Sequence, residues 1–125
     1  MKLIVVDDEK DVQFLFQQKF RKEIKSGSVC IRFAFSGISA LNLIESIEDK
    51  YEYCMLTDIN MPEMTGIELL EKVKNKYPKF KVIMITAYGD EQNYNLAKNL
   101  GADDYFTKPL EFNELKTRLT QLEVV

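Results

Sequence analysis

The chain has no histidine among its 125 residues. An imidazole general base, a Ser-His or Cys-His nucleophile pair and a phosphohistidine donor are therefore excluded within this sequence. Whatever chemistry the chain performs must use carboxylates, hydroxyls, lysine amines or a bound metal ion.

Cysteine is scarce as well. The two cysteines, Cys30 and Cys54, both lie in apolar runs, and neither belongs to a CxxC pair. Since no histidine can complete a ligand set, this spacing does not support a zinc site. We expect two buried, reduced thiols, as is typical of a cytosolic protein.

Other patterns are missing too. No apolar run approaches the ~20 residues that a membrane-spanning helix needs, and the first residues do not form a signal peptide. Lys and Arg number 17 against 20 Asp and Glu, which leaves no basic sheath for a nucleic acid backbone. A GxxxxGK[ST] phosphate loop is absent, so an ATP-dependent kinase is not indicated. We expect a cytoplasmic protein with no membrane or direct nucleic acid partner, folded as a single domain over residues 1–125.

Short apolar runs alternate with segments of helical periodicity from end to end. Strands are predicted at residues 2–6, 29–35, 53–56, 82–85 and 104–107. Helices are predicted at residues 12–24, 38–47, 65–77, 90–100 and 112–122. Such an alternation predicts an α/β fold with a parallel sheet and helices on both of its faces.

Polar residues with chemical potential collect at the ends of the predicted strands. They are Asp7 and Asp8 after the first strand, Asp58 at the end of the third, Thr86 at the end of the fourth and Lys108 after the fifth. The carboxyl ends of parallel strands form one edge of the sheet, where ligands bind in open α/β folds. Each residue alone has an ordinary structural role to fill, but their coincidence at one edge favours a site.

Carboxylates packed together repel each other unless a cation balances them. Lys108 supplies one positive charge, and Mg²⁺ suits a site of carboxylate oxygens, water and a phosphoryl oxygen. A carboxylate can itself be a nucleophile and form an acyl phosphate, and phosphoryl transfer mainly needs positioning and charge neutralisation. The predicted edge of the sheet holds a carboxylate that can act as the nucleophile and groups that can position the phosphoryl group and neutralise its charge.

Four segments carry a resemblance to a known family: residues 3–9 (LIVVDDE), 56–66 (LTDINMPEMTG), 85–87 (ITA) and 101–109 (GADDYFTKP). Together, in this order, they resemble the receiver domains of two-component response regulators over essentially the whole chain. The resemblance implies a flavodoxin-like, doubly wound (βα)5 sandwich with sheet order 2-1-3-4-5. It also implies a bacterial signalling switch rather than an enzyme, which catalyses only its own phosphorylation and slow dephosphorylation.

The resemblance implies a role for each matching residue. Asp58 is expected to accept a phosphoryl group from a histidine kinase or a histidine phosphotransfer protein. Mg²⁺, for which Mn²⁺ can substitute, is expected to bind Asp7, Asp8, Asp58 and the backbone carbonyl of Asn60.

Further residues are expected to respond to phosphorylation. Lys108, the Thr86 hydroxyl and the Ala87 backbone N–H are expected to contact the phosphoryl oxygens, and Tyr105 to move inward when Thr86 turns. The Lys108–Pro109 peptide bond is expected to be cis, which is cheap only before proline.

The resemblance also implies surfaces. The fourth and fifth predicted helices, with the fifth strand, would contact a downstream effector or a second copy in a phosphorylation-promoted homodimer. We hypothesise that Tyr88 hinders the hydrolytic water, and that Phe14, off the apolar stripe of the first helix, contacts a phosphotransfer partner.

Two alternatives stay open at this point. A degenerate receiver would act as an interaction module without phosphorylation, although the acidic and switch positions are all filled. A haloacid-dehalogenase-like phosphatase also uses an Asp nucleophile with Mg²⁺, but it places a second carboxylate two residues later, where this chain has Asn60.

Overall fold

Five β-strands and six α-helices alternate along the residues that the computed structural model describes, 1–87 and 90–122. The strands are β1 (Lys2–Val6), β2 (Cys30–Ala34), β3 (Tyr53–Asp58), β4 (Lys81–Thr86) and β5 (Asp104–Thr107). The helices are α1 (Lys10–Lys19), α2 (Arg21–Ser26), α3 (Gly37–Ser46), α4 (Gly66–Lys76), α5 (Glu91–Asn99) and α6 (Phe112–Leu122). A 3₁₀ turn, Lys50–Glu52, leads into β3.

The strands form one parallel sheet in the order β2-β1-β3-β4-β5. This order and the doubly wound α/β class confirm the fold expected from the sequence. The register pairs Val6 with Thr57 in the neighbouring strand, and Thr86 with Thr107. The polar residues that end or follow these strands are thereby brought to one edge of the sheet.

Two hydrophobic cores cover the two faces of the sheet. On one face α3, α4 and α5 contribute buried residues that include Ile44, Leu70 and Ala97. On the other face α1 and α6 contribute Phe16 and Leu119, which pack against the alternate residues of the strands. The sheet is therefore the middle of three layers, and its strands are apolar on both sides, as parallel strands generally are.

The helix predicted after β1 is in fact two helices. The single helix at residues 12–24 was wrong, because the backbone leaves the helical region at Phe20 (φ −104°, ψ 16°). Phe20 is almost fully buried and its ring stacks on Phe16 with centroids 5.9 Å apart. We attribute the break to this burial, which draws the backbone inward. Ile24, predicted as part of the apolar stripe, is consequently left exposed.

The prediction of two buried thiols was half wrong. Cys30 is exposed because it begins β2, an edge strand with a poorly covered flank. Cys54 lies partly buried in β3, and burial raises the pKa of its thiol to about 12. No helix in the described part of the chain is long and apolar enough to cross a membrane.

Polar caps fix the helix ends nearest the polar edge of the sheet. Thr65 accepts from the Glu68 N–H of α4, and the Glu68 carboxylate accepts from the Thr65 N–H, which completes a capping box. Asp90 accepts from the Asn93 N–H at the start of α5. After α5 the chain turns through Gly101 at φ 93°, a left-handed conformation that favours glycine.

Candidate functional site

Three carboxylates meet at the carboxyl edge of the sheet. Carboxylate oxygens of Asp7, Asp8 and Asp58 lie within 4.8 Å of one another. Asp7 and Asp58 are buried, with 6% and 8% of their surface exposed, and Asp8 is exposed. The cluster thus has an inner pair and an outer member open to solvent, as a site that loads an ion from water requires.

Backbone hydrogen bonds hold Asp7 in place. Its N–H donates to the Ala34 carbonyl oxygen across to β2 (3.1 Å), which extends the sheet pairing by one residue. The Glu9 N–H donates to Asp7 Oδ1 at 2.9 Å. The other carboxylate oxygen, Oδ2, lies on the side of Lys108.

Lys108 reaches the inner acids from the end of β5. Its Nζ lies 3.3 Å from Asp58 Oδ1 and 3.6 Å from Asp7 Oδ2. The Lys108 N–H donates to the Thr86 carbonyl oxygen (2.7 Å), which fastens this loop to the end of β4. The following Lys108–Pro109 peptide bond is cis.

The electrostatics of the cluster show that Lys108 does not balance it. Burial raises the pKa of the Asp58 carboxyl, Asp7 raises it further, and the opposing effect of Lys108 is insufficient to reverse the shift. Burial disfavours the charged Lys108 ammonium, yet Asp58 and Asp7 outweigh burial and raise the pKa of Lys108. Three carboxylates against one ammonium leave surplus negative charge on hard oxygen donors, a donor set that fits Mg²⁺.

Gly66 shapes the backbone around Asp58. A Cβ on Gly66 would lie 2.1 Å from the Asp58 carbonyl oxygen, so this position requires glycine. The Gly66 N–H donates to the Ile59 carbonyl oxygen (2.8 Å), and the Ile59 N–H donates to the Ile85 carbonyl oxygen (3.2 Å). Gly66 was not predicted as a site residue; the available signal was a glycine at the start of the helix that follows the acceptor segment.

Thr86 and Tyr105 meet at Asp90. Thr86 is fully buried, and its hydroxyl donates to Asp90 Oδ2 at 3.5 Å, the long end of hydrogen-bonding distance. The Tyr105 hydroxyl donates to the Asp90 carbonyl oxygen at 3.3 Å. Burial raises the pKa of the Tyr105 hydroxyl. Asp90 was not predicted, because a helix-capping Asp has nothing in its local sequence that marks a second role.

The family model described as "Response regulator receiver domain" matches residues 3–120. The chain belongs to this family.

Solved structures of receiver domains superpose on nearly the whole chain. A response regulator receiver domain protein from Clostridium thermocellum is 25% identical, with a TM-score of 0.85 over 96% of this chain and 91% of that one. A CheY-like receiver domain protein from Methanospirillum hungatei is 29% identical, with a TM-score of 0.83 over 96% and 90%. A response regulator from Thermotoga maritima, solved in complex with Mg²⁺-BeF, is 28% identical, with a TM-score of 0.78 over 97% of both chains.

A cleft of about 860 Å³ runs from the acid cluster of the receiver domain down between α1 and α6. Asp58 and Lys108 line its upper end, and Leu15 and Phe112 line its lower part. Phe14 lies on the same helix as Leu15, and 67% of its surface is exposed. The structure therefore gives Phe14 the exposure that a docking contact needs.

Three further residues were predicted to belong to the site of the receiver domain: Asn60, Ala87 and Tyr88. Asn60 is exposed in the loop after β3, two residues beyond Asp58. Ala87 follows β4 and lines the same cleft as Asp58. Tyr88 lies outside the described residues, so its proposed effect on water stays a prediction.

Proposed function

We propose that this receiver domain is a phosphorylation switch whose acceptor is Asp58. The observation that carries the proposal is the position of the buried Asp58 carboxylate, with the Lys108 ammonium 3.3 Å away and two further carboxylates within 4.8 Å. The donor is a histidine kinase or a histidine phosphotransfer protein. The protein acts as a switch in the cytoplasm, with residues 1–125 as one domain, and does not turn over an external substrate.

Asp7, Asp8 and Asp58, with the backbone carbonyl of Asn60, would hold Mg²⁺ or, in its place, Mn²⁺. The metal would neutralise charge on the phosphoryl oxygens during transfer. The receiver from Thermotoga maritima that is solved with Mg²⁺-BeF supports this assignment by similarity. The three carboxylates of Asp7, Asp8 and Asp58, faced by the single ammonium of Lys108, support it from this chain's own residues.

The transfer itself is a displacement at phosphorus. One carboxylate oxygen of Asp58 forms a bond to phosphorus while the bond from phosphorus to the donor's imidazole nitrogen breaks, and that nitrogen keeps the electron pair. Asp58 must be ionised to attack, and Lys108 favours the ionised form. The phosphoryl group of the product carries about two negative charges in place of the single charge of the Asp58 carboxylate, and Lys108 and the Ala87 N–H would contact its oxygens.

The added charge would then attract the Thr86 hydroxyl, and Tyr105 would follow it inward. Tyr105 lies in β5 between α5 and α6, so its movement would alter the surface that these three elements share. Asn95, Lys98 and Asn99 of α5 are exposed on the surface of the molecule. We assign this surface to a downstream effector or to a phosphorylation-promoted homodimer, against a monomeric resting state.

The test is intact-mass analysis after incubation with Mg²⁺ and acetyl phosphate. The expected result is one phosphoryl adduct that requires Mg²⁺ and is absent in Asp58→Asn. An unmodified wild-type protein that also fails to bind Mg²⁺ would instead identify a degenerate receiver, in which Asp58 is an ordinary buried acid.

A further inference from the structure

Asp90 accepts hydrogen bonds from both predicted switch residues, Thr86 and Tyr105. Its Oδ1 caps α5 through the Asn93 N–H (3.3 Å), and its Oδ2 accepts from Asn93 Nδ2 (2.6 Å) and from the Thr86 hydroxyl (3.5 Å). Its carbonyl oxygen accepts from the Tyr105 hydroxyl at 3.3 Å. One residue thus contacts Thr86, Tyr105 and the first turn of α5.

We propose that Asp90 is a positioning residue that competes with the phosphoryl group for the Thr86 hydroxyl. The inference rests on the proposed function of Asp58. A threonine hydroxyl has a single proton to donate, so a bond to Asp90 and a bond to the phosphoryl group exclude each other. Thr86 is fully buried, and water is therefore not at hand to replace the acceptor that it gives up.

The neighbouring Asn93 lowers the cost of releasing the Thr86 hydroxyl from Asp90. A carboxylate is a strong acceptor, because hydrogen bonds to charged groups are roughly twice as strong as neutral ones. When the Thr86 hydroxyl leaves, Asp90 Oδ2 still accepts from Asn93 Nδ2 at 2.6 Å. The half-buried carboxylate then keeps a side-chain donor, and the loss of every donor would be costly. Asp90 therefore restrains Thr86 without locking it.

The same residue links Thr86 to the output surface. Tyr105 is held to the Asp90 backbone, and its ring packs edge-on against Tyr94 of α5 with centroids 4.8 Å apart. Release of Thr86 from the Asp90 side chain changes the contacts of both Tyr105 and the capped turn of α5. The hydrogen bond between Thr86 and Asp90, at the start of α5, would thus determine how readily phosphorylation shifts the domain to its active conformation.

Asp90→Asn separates this role from helix capping. Asn caps helices about as well as Asp, but an amide nitrogen in place of Oδ2 cannot accept from Thr86. We expect Mg²⁺-dependent binding of fluoroberyllate, followed by tyrosine fluorescence, to become about fivefold tighter, the factor that corresponds to one net hydrogen bond. The urea midpoint should stay close to that of the wild type.

Asn93→Ala is the matched variant, and it should change the affinity for fluoroberyllate in the opposite direction. It keeps the Asp90 carboxylate and the N–H cap but removes the second side-chain donor. Thr86 is then held more firmly, and fluoroberyllate binding should weaken about twofold. In a Thr86→Ala background, Asp90→Asn should have no effect, because the hydroxyl for which the two acceptors compete is gone.

A readout that needs no phosphodonor separates this inference from the proposed function. The side-chain torsion of Thr86, measured by NMR couplings in the metal-free protein, should shift towards a second rotamer in Asp90→Asn. An unchanged torsion, or tighter binding that persists in the Thr86→Ala background, would overturn the role of Asp90 while leaving Asp58 as acceptor. A shifted torsion in a protein that takes up no phosphoryl group would show that Asp90 holds Thr86, but it would remove the proposed function and the competition that rests on it.

Discussion

The α-carbon of Gly66 lies so close to Asp58 that a methyl group there would stand 2.1 Å from the Asp58 carbonyl oxygen. We expect Gly66→Ala to lower the free energy of unfolding by about 1–3 kcal/mol, the usual cost of overpacking. It should also reduce phosphoryl uptake per folded molecule, because the loop that carries the acceptor must shift. Urea unfolding and intact mass measure the two effects.

Gly27→Ala is the control for that variant. Gly27 has a positive φ, 81°, which Gly66 does not, and a Cβ on Gly27 would meet nothing within 4 Å. It should lose about 1 kcal/mol from backbone strain alone and keep normal phosphoryl uptake. Equal uptake by the two variants would show that the Gly66 contact does not position the acceptor.

The pKa of Asp58 predicts how stability depends on pH. Because burial and Asp7 raise this pKa, the folded protein binds the proton more tightly than the unfolded chain. The stability linked to Asp58 is thus present at low pH and is lost as pH rises from the ordinary value of 3.8 through the raised one. In metal-free buffer, Asp58→Asn should be the more stable protein at pH 7, by on the order of 1 kcal/mol.

The stability difference between Asp58→Asn and wild type should shrink as the pH falls towards 3.8, the ordinary value for Asp. Mg²⁺ at pH 7 should narrow it too, because the metal stabilises the wild type more than the variant. Urea titrations across pH, with Asp11→Asn as an exposed acid of α1 for comparison, measure these effects. A constant advantage at every pH would mean that ionisation of Asp58 is not its cause.

Lys108 competes with a metal ion for the same two acids. Lys108→Ala removes an ammonium 3.3 Å from Asp58 and 3.6 Å from Asp7, so Mg²⁺ should bind at least about threefold tighter. Phosphoryl uptake should nevertheless fall about tenfold or more, because the transferred group loses a charged donor. Lys79→Ala, at an exposed lysine before β4, should change neither. If both properties of Lys108→Ala moved in the same direction, competition would not describe this site.

Phe14 offers a test of partner docking. Since 67% of its surface is exposed, Phe14→Ala should leave the free energy of unfolding within about 0.5 kcal/mol of the wild-type value. Phosphotransfer from the cognate histidine donor should slow, while uptake from acetyl phosphate stays normal. Tyr51→Ala is the matched control, because Tyr51 is 59% exposed and lies at the opposite end of β3 from Asp58. A wild-type rate from the cognate donor would remove Phe14 from the docking surface.

The alternation of apolar runs with segments of helical periodicity predicted most of the fold. Apolar runs located all five strands, and those of β1, β3 and β4 are nearly continuous because strands buried on both faces need apolar side chains at almost every position. The break at Phe20 could not be predicted, since Phe16 and Phe20 have ordinary helical spacing. Both rings are buried against Phe112 of α6, a contact that local spacing does not record.

The acid cluster was predictable for a related reason. Strand ends converge in any parallel sheet, so Asp7, Asp58 and Lys108 could be placed together from sequence alone. Gly66 and Asp90 could not, because their roles depend on a close approach and on side-chain acceptor geometry. Those are properties of backbone direction and rotamer, which hydrophobic patterns do not record.

Because Cys30 is exposed and Cys54 is partly buried, the native sequence offers Cys30 as an attachment site for a thiol-reactive probe. Thiolates are the reactive species; Cys54 has a thiol pKa of about 12, while Cys30 is exposed. Cys30 pairs with Lys2 at the amino end of β1, so it lies at the far side of the sheet from the acids. A single maleimide dye on the native sequence could therefore follow binding or self-association in real time without touching the site under study.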